Sequence, residues 1–144
     1  MSNPSTLPTP DVLTALKTRW DASSATLSTI AGPYRDCAPA KATPAVPYCV
    51  VIAGMAMREK TTSSHEFWLV SVEFALRSTT QELAQAAALL VASAFDDFIP
   101  TLAAGKGVVL SVRRTGDRNA EEDRQVHAYT LVYQYQVEVA RMDR

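Results

Sequence analysis

Glycine is scarce in this chain, five residues in 144. None falls in a G-x-x-x-x-G-K-[ST], G-x-G-x-x-G or G-x-S-x-G arrangement, which excludes the usual backbone cradles for nucleotide phosphates and the nucleophile elbow. H-E-x-x-H and C-x-x-C are missing as well. The only histidines, His65 and His127, share no ligand spacing with the only cysteines, Cys37 and Cys49, so neither a metal nor a cofactor is expected. Both cysteines are read as free thiols, because a domain with an adequate core needs no bridge. Net charge is lacking too. Fourteen Lys plus Arg against fifteen Asp plus Glu leave −1, which argues against nucleic-acid affinity driven by overall charge. Apolar runs are short: Tyr48 to Met57 and Ala84 to Phe95 both fall below the ~20 residues of a membrane span. Met1 to Thr9 carries no basic region followed by an apolar stretch, so neither a secretory signal nor a membrane partner is expected.

What is present is enough for a core, since apolar types make up 47% of the residues and the length suits one domain. The composition and the pattern predict a flexible tail over residues 1–9 and a single α+β domain over residues 10–144. Pro10 suits a first helical turn after Thr9 as cap, and Leu13, Leu16, Trp20, Leu27 and Ile30 recur on one helical face, with a weak point at Ser23 and Ser24. Prolines between Gly32 and Pro47 predict a long semi-rigid loop. Tyr48 to Met57 reads as a strand covered on both faces. His65 to Arg77 alternates, with Trp68, Val70, Val72, Phe74 and Leu76 on one side and Glu66, Ser71, Glu73 and Arg77 mostly on the other. A second helix is announced by the capping-box spacing of Thr79 and Glu82 and a stripe from Leu83 to Phe98, closed by Pro100. Lys106 to Arg114 and Gln125 to Ala140 read as two further strands joined by a polar loop. The expected architecture is a mainly antiparallel four-stranded sheet of two hairpins, with two helices packed on it.

Chemistry-bearing clusters are few. Cys49 beside either histidine is a conceivable nucleophile, without a marked third group to orient it. Asp96 and Asp97, near the end of the second helix, read as a solvated face or an inter-subunit ion pair before acid/base chemistry. Two charged hairpin tips stand out as interaction surfaces instead: Arg58, Glu59 and Lys60 in the first, and Arg113, Arg114, Asp117, Arg118, Glu121, Glu122, Asp123 and Arg124 in the second. Both faces of the last strand are partly apolar, and two helices cover only one side of a sheet. The other side is expected to meet further copies of the chain, the alternative being that the proline-rich loop and the first helix fold over it.

The segment Ile30 to Val51, with Gly32, Tyr34, Pro39, Pro47 and Tyr48 leading into the first long strand, resembles the tail terminator and tail-completion proteins of long-tailed bacteriophages. Element order agrees over roughly Val12 to Val139. The resemblance implies a non-enzymatic virion protein of the tail or neck, assembled in the host cytoplasm. It further implies a homo-oligomeric ring, six-fold in that family, that caps the tube, ends tail polymerisation and joins the head. Its implied partners are the tail tube protein and the head–tail connector, with DNA only as cargo passing through the lumen. Deleting Gly116 to Arg124 is expected to leave a folded subunit unable to engage tubes. The competing expectations are a stopper protein of the neck and a small cofactor-free enzyme or ligand-binding domain.

Overall fold

In a computed structural model, the described residues are 7–35, 47–61, 65–96, 98–123 and 128–142. The order is α1 (Thr9–Ala22), α2 (Ser24–Leu27), β1 (Ala31–Arg35), β2 (Tyr48–Thr61), β3 (His65–Ser78), α3 (Gln81–Phe95), β4 (Val108–Asp123) and β5 (Ala128–Met142). The strands form one sheet in the order β1-β2-β3-β5-β4. Every neighbouring pair is antiparallel except β1 and β2, which run parallel.

Among the described residues the sheet has five strands rather than the four expected, one pair of them parallel, and three helices rather than two. The extra strand lies in the proline-rich segment read as loop. Pro33 is tolerated there because β1 is an edge strand, where a missing ladder donor costs nothing, and the pairing with β2 shifts register between Ala31 and Tyr34. The second correction concerns β4, which continues as strand to Asp123, through the stretch read as a polar loop. An edge strand buries only part of its surface, so its side chains need not alternate apolar and polar.

The helices start and stop for local reasons. Thr9 is the first residue of α1 rather than its cap; Pro8 holds the cap position with no side-chain bond, and Pro10 sits in the first turn. Ser23 ends α1, its N–H donating to the carbonyls of Arg19 and Trp20, and the chain resumes as the single turn of α2. The cap of α3 is Thr80, one residue later than the capping-box spacing suggested: its hydroxyl accepts the N–H of Leu83 at 3.1 Å. Six alanines among fifteen residues then give α3 strong intrinsic propensity. Thr80→Ala should cost about 1 kcal/mol of stability, checked by urea unfolding with an unchanged m-value.

One face of the sheet carries the core. Trp68, Val70, Val72, Phe74 and Leu76 of β3 and Leu131, Tyr133, Tyr135, Val137 and Val139 of β5 are all buried, as their alternation predicts. α1 and α3 close this face. Trp20 of α1, Phe95 of α3 and Phe74 of β3 meet at 4.8 to 6.5 Å between ring centroids, and Tyr135 stands edge-on to Phe74 at 5.6 Å. Arg19 ties the two helices, its Nε donating at 2.9 Å to the carbonyl of Ala94, one of the carbonyls left over at the end of α3, while its guanidinium lies 4.0 Å over the Phe98 ring. Gly107 leads into β4 with φ +113°, where a Cβ would stand 2.7 Å from the Ala140 carbonyl oxygen; only glycine fits that approach.

Candidate assembly surface

Among the described residues, no helix covers the opposite face of the sheet. Its character follows from the ladder register. A polar band crosses its middle, with Ser71, Glu73, Gln134, Gln136, Glu138 and Arg113 on neighbouring strands. The Gln134 amide donates to Glu73 at 2.7 Å, and the Ser111 hydroxyl lies 3.4 Å from Glu138. Apolar side chains share this face: Ile52 stands level with Glu73, and Met57 and Leu69 with Glu138, while Ala75 and Val132 lie beyond the band at one end and Phe67 at the other. The face expected to be partly apolar is so, with a polar centre.

Both expected tips are strands rather than loops. Arg58 is exposed on β2 opposite Trp68, Lys60 stands opposite Phe67, and Glu59 sits at the irregularity between them. On β4, Arg113 and Arg114 are exposed; Asp117, Arg118, Glu122 and Asp123 hold register positions opposite Tyr133, Val132, Tyr129 and Ala128, and Glu121 falls at a shift in that register. Arg124, His127, Asp97 and Cys37 lie outside the described residues. The two sets are not brought together. Lys60 shares an end of the sheet with Val108 and Ala140, whereas Asp123 lies at the other end, beyond Ser78 and Tyr129.

Two polar clusters missed at the sequence level organise the buried face. Asp96 caps the end of α3, where the helix dipole repels a carboxylate. The Tyr135 hydroxyl donates to it at 2.8 Å and Arg114 pairs with it at 3.5 Å, lying 4.7 Å over the Tyr133 ring. Asp96 thus ties α3 to β4 and β5 within one subunit, in place of the solvated or inter-subunit role expected of it. Burial and the neighbouring carboxylate push the Tyr135 hydroxyl well above the ordinary tyrosine range. The second cluster corrects the reading of Glu66 as outward-facing. Glu66 is 3% exposed and accepts the Trp68 indole N–H at 2.8 Å and Arg141 Nε at 3.1 Å, the guanidinium lying 5.3 Å from the Trp68 ring. The Trp68 hydrogen bond leads the effects that hold its carboxyl below the usual range against the opposing cost of burial, with Arg141 and then Arg58 adding to it.

The chemistry left to the other candidates is limited. Cys49 is fully buried and burial drives its thiol upward, so no thiolate forms there near neutral pH. His65 is exposed at the start of β3, 6.5 Å from the Phe67 ring. Among the described residues, no three His, Cys, Asp or Glu side chains converge as a metal would require. A cleft of about 290 Å³ does open between α1 and the β1–β2 edge, with Trp20, Val51 and Phe74 in its lining beside the exposed cations Lys17 and Arg35.

No protein-family model matches this chain, and no curated protein matches it. A solved structure does. The chain shares its fold with a component of the virion of a native gene transfer agent particle, at a TM-score of 0.70 and 13% identity, over 94% of this chain and 99% of the other. At that identity the likeness speaks for the fold.

Proposed function

We propose that this chain is a structural, non-enzymatic protein of a phage-like virion. In this reading it forms a ring, six-fold as in the tail terminator family, that caps the tail tube, ends its polymerisation and offers the surface to which the head connector binds. The observation that carries the reading is agreement of the whole fold, end to end on both chains, with a virion component.

The geometry explains how such a subunit would work. Its charged strand ends lie at opposite ends of one sheet, Arg58 to Lys60 at one and Asp117 to Asp123 at the other, which suits a ring touching a different partner on each side. The open face between them is hydrogen-bonding and holds Glu73 and Glu138 against Arg113. Such a face offers little to grip phosphates, so DNA would pass a lumen lined by it without being held.

Particles assembled without this protein should carry tails longer than the set length and unjoined to heads. Electron microscopy of purified tubes mixed with the protein should show added density at one end only. Density found instead on the portal of tailless heads would make it a neck stopper, and the terminator role would be wrong.

A further inference from the structure

We propose that the cleft between α1 and the β1–β2 edge binds a small apolar monocarboxylate, a free acid with a single chain or ring, whose carboxylate meets Arg35. The site goes beyond the ring reading and does not rest on it. Leu13, Leu16 and Trp20 of α1 line the cleft together with Pro33 of β1, Val51 of β2 and Phe74 of β3. All but Pro33 are buried, so its apolar walls are continuous with the core. At about 290 Å³ it is far larger than a water, and well-packed interiors keep few gaps of that kind. A gap with such a lining holds water poorly and suits an apolar guest. At about 30 Å³ per heavy atom, a water's share of the liquid, it takes roughly ten heavy atoms.

The register aims the charged end of the ligand. Arg35 stands opposite Val51 and Val51 opposite Phe74, so the three share the face that looks toward the helices, and Arg35 ends the row on the outermost strand. No hydrogen bond or ion pair joins Arg35 to the other described residues. The other cation of the lining, Lys17, is held by Asp21 at 2.6 Å one turn along α1, and an exposed pair of that kind adds little. Arg35 is therefore the group that selects, and a guanidinium takes a carboxylate through two parallel N–H donors.

The lining side chains include no hydroxyl, amide or carboxylate, and this sets the ligand class. A sugar, a nucleotide or a peptide would bury polar groups there without partners, which is costly. A molecule with one charged end and an otherwise apolar body leaves nothing unpaired.

Octanoate is a probe of the right size, and octanol is its neutral counterpart. Calorimetric titration of the full chain at neutral pH should show saturable binding of one octanoate per chain, with octanol at least about threefold weaker. Arg35→Met should bring octanoate down to the affinity of octanol and leave octanol unchanged; Arg35 is exposed at the end of its strand, so the variant keeps the fold. Methyl NMR spectra should show octanoate shifting Leu13, Leu16 and Val51. N-acetyl-leucine, standing for the last residue of a polypeptide, should bind more weakly than octanoate, because its amide finds no partner in the lining. The proposal is overturned by absent octanoate binding, by a smaller gap between octanoate and octanol, by an Arg35→Met variant that binds octanoate like the wild type, or by methyl shifts confined to the exposed Val108 and Leu110. Tighter binding of N-acetyl-leucine would assign the cleft to the chain end of a protein partner and overturn the free acid. Tube capping is measured separately, so the ring reading can fail while this site stands, and the reverse.

Discussion

Phe74→Ala is expected to lower the unfolding free energy by about 3–5 kcal/mol, enough to unfold a substantial share of a domain whose total stability is of order 5–15 kcal/mol. Phe74 is 1% exposed at the centre of the sheet and meets aromatic rings from three other elements: Trp20 from α1, Phe95 from α3 and Tyr135 from β5. Removing its ring forfeits the apolar transfer energy and leaves a void that three large rings from separate elements cannot close together. Part of the loss is the edge-on contact with Tyr135, whose hydroxyl is fixed on Asp96 and cannot swing into the space. Phe74→Leu, which keeps most of the volume, should cost much less. Chemical denaturation of the two variants checks the pair, and equal costs would show that the site relaxes freely.

Arg141→Met should destabilise by about 3 kcal/mol at neutral pH. The methionine keeps much of the packing against Trp68, yet Glu66 is left buried with the indole N–H as its remaining donor in the cluster. The pH dependence separates charge from packing. The folded carboxyl of Glu66 is held below its ordinary value, so its stabilisation is fully present above the unfolded pKa of about 4.3 and is lost as pH falls through the folded value. Without Arg141, two of the effects lowering that value disappear while the cost of burial stays. The destabilisation by Arg141→Met should therefore shrink as the solution is acidified below about pH 4. A penalty that stays constant from pH 7 to pH 3 would assign the whole effect to packing.

The tip expected to be a removable loop is, over its described residues, half of strand β4. Gly116 to Asp123 pair with Ala128 to Gln134 for half the length of β4, so their deletion would leave that half of β5 paired with β3 alone and confound folding with docking.

Local patterning alone determined the helical stripe of α1, the alternation of β3 and the existence of α3, because each element buries one face and the period of its apolar residues records which. Leu13, Leu16, Trp20, Leu27 and Ile30 are all buried as their spacing requires. Three features were decided only by the tertiary structure. β1 is a strand despite Pro33, and β4 continues through a polar stretch, because both lie at sheet edges where neither rule of composition binds. Glu66 is buried despite its charge, because β3 and β5 pair and carry Arg141, 75 residues away, to its side. The candidate contact surface belongs with these. The sequence names the charged residues, but which of them stand level across the sheet depends on the strand order β1-β2-β3-β5-β4, and no local period encodes the order in which distant strands pair.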